Sequence, residues 1–276
     1  NLFGLELHSG QIQHLTDLNP LPLPREVEFL RACVSGTGDE AYFWYGMELR
    51  VLDLHGLETR VIYRMEDGWD VSMINCSADG RHVYASVSED MSSRFRVDYL
   101  RGYVGFRETW AARPLSRILR IAVDGSGGQT LFEESYWIGH VNTSPTRNEL
   151  LTFCHEGPWN EVDNRIWGMN TDSGEVWKIR AREADESVGH EYWHADGERI
   201  GYHGRNRAGT QFLGPAHYAA SDRVEVSFPG QTGHIHSNAP ELIVGDGGRV
   251  VRLWRSSGEG YQVEVPSFES LPAVDD

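Results

Sequence analysis

The chain has 276 residues, 30 of them glycine and 9 tryptophan, with a formal net charge of −16. That charge argues against nucleic acid as a partner, because phosphate binding needs a basic footprint. No apolar run approaches the roughly 18 residues of a membrane span, no basic and apolar pair of segments marks a signal peptide, and the widely spaced Cys33, Cys76 and Cys154 suggest neither a disulfide framework nor a zinc knuckle. A cytoplasmic protein with no membrane partner is the expectation.

The opening stretch LELHSGQIQHLTD (5–17) predicts a hairpin with no inner partner, so part of a structural unit is expected to be missing before Asn1. From there a polar turn followed by an alternating strand recurs. The copies are GTGDEAYFWYG (36–46), SADGRHVYASV (77–87), SPTRNELLTFC (144–154), HADGERIGYHG (194–204) and SNAPELIVGDG (237–247). Second hairpins lie between copies, at 50–63, 117–132 and 165–179. Period-two alternation around a glycine-containing turn is the hairpin signal. Two hairpins in each roughly 40–50 residues make the four-stranded blade of a propeller. The expectation is an all-β fold, a single β-propeller domain over 1–276, with a loop-like tail after Pro266.

One interval is long. Residues 88–116 form an insertion carrying Arg94, Arg96, Arg101, Arg107 and Arg113 among Phe95, Tyr99, Tyr103, Phe106 and Trp110. This basic, aromatic segment suits a lid over an acidic sugar. The competing reading is a surface element that packs on a neighbouring blade. The glycines of GDGG (245–248) and DGSGG (124–128) read as turns, not phosphate loops, since no helix follows.

The chemistry collects at one end of the repeat. Three successive inner strands begin with the same dipeptide: Gly139-His140, Gly189-His190 and Gly233-His234. Met73 holds the matching place in an earlier copy, so the repeat itself does not demand histidine. His155 ends a second strand and Arg165 starts a third, which puts both on the same face. A lone histidine in such a place is more often a structural one, whereas three at equivalent positions beside an arginine point to a site.

The runs FCHEGPWNEVDNRIW (153–167), VGHEYWHADG (188–197) and GHIHSN…IVGDG (233–247) resemble those of the oligogalacturonate lyases. The resemblance covers nearly the whole chain. It implies a seven-bladed β-propeller in the intact protein, of which this chain lacks parts at both ends. It further implies an enzyme that cleaves short oligogalacturonates, acidic oligosaccharides from pectin, by β-elimination with a divalent metal, typically Mn2+. By the same resemblance Arg165 matches the catalytic arginine, His190 the general base and His234 the first metal ligand, and His155 lines the site; His140, from its equivalent place in the repeat, is expected to line the substrate with it. The family's further ligands lie in a Gln-x-x-His-x-His run on a later blade, and nothing after Val250 matches it. Either the chain stops short of that run, the reading favoured, or Gln231 and His236 supply ligands locally. Two other functions remain to be separated: a non-catalytic propeller that binds or scaffolds a partner, and a lyase for another uronate-containing oligosaccharide.

Overall fold

In the computed structural model the described residues are 1–19, 31–99, 102–228, 233–239, 242–247, 250–256 and 261–269. They divide into two compact units, Asn1–Val141 and Asn142–Asp276.

The first unit opens with a two-stranded sheet, β1 (Phe3–Leu5) and β2 (Ile12–His14), which is the partnerless hairpin expected from the sequence. Two four-stranded antiparallel sheets follow. One is β3 (Ala32–Val34), β4 (Glu40–Tyr45), β5 (Glu48–Asp53) and β6 (Thr59–Arg64). The next is β7 (Trp69–Cys76), β8 (His82–Glu89), β9 (Leu115–Ala122) and β10 (Gly128–Ser135). The turns follow from sequence chemistry. Between β7 and β8, Asp79 Oδ1 accepts from Ser77 Oγ at 2.7 Å and from Arg81 N at 3.0 Å, and Gly80 supplies the left-handed residue at φ 70°. Inward side chains of the two sheets, among them Tyr42, Leu49, Val51, Val83, Ala85 and Ile121, form one buried cluster. Each such Val, Leu or Ile side chain contributes about 1.5–3 kcal/mol on burial.

The insertion leaves β8 through a short 3-10 turn, Met91–Ser93, and contains α1 (Phe106–Ala112) before β9. Some of its aromatic and basic residues pack within the first unit. Tyr99 and Phe106 lie 5.3 Å and 5.2 Å from Trp137, ring centre to ring centre, and the Arg113 guanidinium sits 3.9 Å over the Tyr136 ring. Arg101 falls outside the described residues.

The sheet of β11 (Ile138–Thr143), β12 (Leu150–His155), β13 (Ile166–Asn170) and β14 (Val176–Arg180) begins at the boundary, which falls inside β11. The second unit continues with β15 (Ser187–Trp193), β16 (Arg199–Arg205), β17 (Gln211–His217) and β18 (Val226–Ser227). Its last sheet is β19 (Ile235–Ala239), β20 (Leu242–Gly247), β21 (Val250–Ser256) and β22 (Tyr261–Glu269). Five sheets are thus four-stranded meanders of the kind that make propeller blades. One expectation fails: Pro266 lies within β22, which pairs with β21, so the segment to Glu269 is strand and not loop. Proline is tolerated there because β22 is the edge strand of its sheet.

Candidate active site

The second unit brings three histidines and a tryptophan together at one end of its sheets. The pivot is a β-bulge in β15. Gly189 pairs with His203 and Tyr192 with Gly201, so His190 and Glu191 together face one residue of β16. His190 takes a left-handed φ of 50°, and it is the one such non-glycine residue inside a strand among the described residues. Bulges re-aim side chains, and a strained non-glycine backbone marks a position held by its surroundings.

Those surroundings are specific. The Nδ1 of His190 donates to the carbonyl oxygen of Gly233, and His203 Nε2 donates to the same oxygen at 3.2 Å. A carbonyl only accepts, so the hydrogen of His190 is on Nδ1 and the lone pair is on Nε2. The His190 ring stacks on His234 with centres 4.4 Å apart and meets the edge or face of Trp159 at 4.7 Å. His203 is 5% exposed, and burial pushes its pKa down to about 4, so it is a neutral donor.

His234 is exposed and oriented by Asp246. That carboxylate accepts from His234 Nδ1 at 2.8 Å, from His234 N at 2.6 Å and from Gly233 N at 2.8 Å. Burial alone would raise the Asp246 pKa, but the hydrogen bonds from His234 and Gly233 outweigh it and hold the carboxyl below its ordinary value. A carboxylate on Nδ1 fixes the tautomer that offers Nε2 to a metal, the usual outer support of a metal-bound imidazole.

Arg165 immediately precedes β13 and is 2% exposed. Its guanidinium grips Glu156, Nη1 to Oε1 at 2.6 Å and Nη2 to Oε2 at 3.4 Å, and lies 5.7 Å from the centre of the Trp159 ring. Burial opposes its charge, but Cys154, Glu156 and Glu191 outweigh burial and raise its pKa. Trp159 therefore stands between Arg165 and His190. It also lies flat against Gly189, where a Cβ would come within 2.8 Å of the indole.

His155 is 3% exposed, with Nδ1 on Asp163 at 2.7 Å and its ring 4.9 Å from Trp167. His236 turns toward Asn238 Oδ1 at 2.9 Å and the Tyr192 ring at 5.3 Å. His140 is half-buried on β11 and belongs to the first unit. Gln231 lies outside the described residues. The reading of the sequence missed Trp159, His203 and Asp246. Trp159 sat inside the quoted 153–167 run, and Asp246 sat within GDGG, where only the glycines drew notice.

The family model described as oligogalacturonate lyase matches residues 28–272. The chain belongs to the oligogalacturonate lyase family. The oligogalacturonate lyase of Dickeya dadantii is 26% identical over 251 residues, covering 84% of this chain and 63% of the relative. The oligogalacturonide lyase of Pectobacterium atrosepticum is 26% identical over 222 residues, covering 79% of this chain and 55% of the relative. The chain thus spans less than two thirds of the length of these curated relatives. A solved oligogalacturonate lyase in complex with manganese superposes with a TM-score of 0.82 at 21% identity, over 94% of this chain and 69% of that one. The four-stranded sheets described above are accordingly blades of the oligogalacturonate lyase β-propeller. No helix among the described residues is long and apolar enough to cross a membrane.

Proposed function

We propose that the protein cleaves short oligogalacturonates by β-elimination, with His190 as the base and His234 as a metal ligand. The observation that carries this reading is the tautomer of His190. Its Nδ1–H is spent on the Gly233 carbonyl, so Nε2 is the basic atom, and a second imidazole oriented by Asp246 lies stacked beside it. The family supports the substrate class.

In the reaction, His190 Nε2 takes the proton from C5 of a uronate. The C5–H electrons form the C4=C5 double bond, the C4–O bond breaks with its electrons leaving on the glycosidic oxygen, and that oxygen takes up one proton while His190 gives up the one it took. No water is consumed. A positioned base of this kind contributes roughly 10²–10⁴-fold. Trp159 and the Gly233 carbonyl hold the ring in place, and Arg165, ion-paired with Glu156, lies against Trp159. Through Glu156 and Trp159, Arg165 acts by positioning.

The donor chemistry fits a divalent transition metal. Imidazole nitrogen points to a transition metal rather than to calcium, which prefers oxygen. His234 would hold it through Nε2. When bound, the metal neutralises the uronate carboxylate and makes the C5 proton easier to remove.

The test is a pair of variants of the full-length protein. His190→Ala is expected to abolish elimination while Mn2+ still binds. His234→Ala is expected to weaken Mn2+ binding, with part of the activity restored by excess metal. Loss of metal from the His190 variant, with retention in the His234 variant, would reverse the two roles.

A further inference from the structure

A second feature lies beside the His190 cluster, at the same end of the β15–β18 sheet. Ser187 opens β15, Arg205 closes β16 and Gln211 opens β17, and the three are paired in register, Ser187 with Arg205 and Arg205 with Gln211. Together with Trp159, His203 and Gly204 they line a cavity of about 210 Å3. It is smaller than the roughly 300–1,000 Å3 of a drug-sized pocket, a size that suits one sugar ring.

Its lining is built for a polar, anionic guest. Trp159 gives an apolar wall on which a pyranose can lie. The side chains of Ser187, Arg205 and Gln211 make no hydrogen bond or ion pair with any other described residue, unlike Arg165, Arg180 or Arg147, which are all held by carboxylates. Position 204 has to be glycine because the neighbouring strands close tightly on it. A Cβ there would come within 2.4 Å of Ser187 O and 2.5 Å of Phe212 Cζ. In a chain of net charge −16, an exposed arginine with no ion pair among the described residues is a local exception to the repulsion an anion would meet.

We infer that this cavity is a uronate-binding subsite next to the reacting residue, in which Arg205 holds the sugar carboxylate and Trp159 carries the ring. His203 links it to the reaction, since its ring forms part of the cavity and lies 5.5 Å from the ring of His190. The inference rests on the reading of His190 as the base facing a uronate. Trp159 then has two surfaces in use, one ordering the base and one carrying the neighbouring sugar.

The test compares the full-length protein with its Arg205→Ala and Arg205→Lys variants, by kinetics on digalacturonate and by calorimetric binding of digalacturonate in the His190→Ala background. Arg205→Ala is expected to raise KM about tenfold or more while kcat falls no more than about threefold, the loss set by charge-assisted hydrogen bonds. Arg205→Lys is expected to recover part of the affinity, since it keeps the charge but not the fork. The Arg205 side chain has no described partner, so melting temperatures should match the wild type. A KM within twofold of wild type for Arg205→Ala overturns the subsite and leaves the elimination reading standing. Digalacturonate binding that falls on Arg205→Ala, in a protein that never forms unsaturated product, supports the subsite and refutes the elimination chemistry. Wild-type protein that neither binds nor cleaves digalacturonate overturns both.

Discussion

Asp246→Asn should uncouple metal binding from folding. Asp246 accepts three hydrogen bonds, at 2.6 Å and 2.8 Å from the backbone of His234 and Gly233 and at 2.8 Å from His234 Nδ1. The asparagine oxygen can still accept from both backbone N–H groups. Its amide nitrogen can only donate, so where it faces the ring His234 must put its lone pair on Nδ1 and its hydrogen on Nε2. That tautomer presents a hydrogen where the metal would bind. Loss of such outer support typically costs about 10–100-fold in metal affinity, or about 1.4–2.8 kcal/mol. The stability cost is smaller, about 1 kcal/mol, because the Asp246 side chain is half-exposed and neutral bonds replace charged ones. The assay is calorimetric titration of full-length protein with Mn2+, beside a melting curve. Mn2+ affinity within threefold of wild type, in a folded variant, would refute the role given to Asp246 and with it the reading of His234 as ligand.

Gly189→Ala should push the indole of Trp159 off the strand, because the added carbon meets the ring at 2.8 Å and the ring has packed neighbours; the expected outcome is a changed tryptophan fluorescence, about 1–3 kcal/mol of stability lost and a sharp fall in kcat. Replacing residues 94–113 by a short Gly-Ser turn should raise KM if the segment closes on substrate, and should lower the melting temperature because Trp137 loses Tyr99 and Phe106; unchanged KM and kcat would make the segment a packing element only. Arg180→Ala should cost about 3 kcal/mol, since the buried guanidinium bridges Glu186 and Glu225 and its loss strands both carboxylates. The pH dependence of that cost follows from Glu186. Burial raises its pKa, but the hydrogen bond from Arg180 and its neighbours outweigh burial and bring it below the ordinary 4.5. A depressed carboxyl contributes its full stability above 4.5 and loses it as pH falls through the folded value. The gap between wild type and variant in urea unfolding should therefore stay constant from about pH 7 to 5 and shrink below that.

The blades were legible in the sequence because each hairpin is a local object. Asp79-Gly80 and Asp196-Gly197 set their turns within four or five residues, and the alternation on either side fixes which face is buried. The Gly-His positions were legible as a repeated dipeptide. The partners of those histidines were not. His203 reaches the Gly233 carbonyl across 30 positions, Trp159 meets His190 from another sheet's loop, and Asp246 serves His234 from the next strand. Such contacts depend on which sheets stack and how far β15 bulges, and a single sequence carries no local signal for either. β18 was missed because two residues, Val226 and Ser227, are too few to show a period. The insertion was legible only as a composition. Its arginines and aromatics look available for a ligand, yet Tyr99, Phe106 and Arg113 are committed to Trp137 and Tyr136.

The most direct measurement is an ultraviolet assay of full-length protein with digalacturonate and Mn2+. A C4=C5 double bond conjugated to a carboxylate absorbs in the ultraviolet, so absorbance should rise in step with cleavage, and the rise should vanish with His190→Ala while Mn2+ stays bound. Cleavage to two saturated products, with oxygen from labelled water in one of them and no absorbance change, would show hydrolysis and contradict the account.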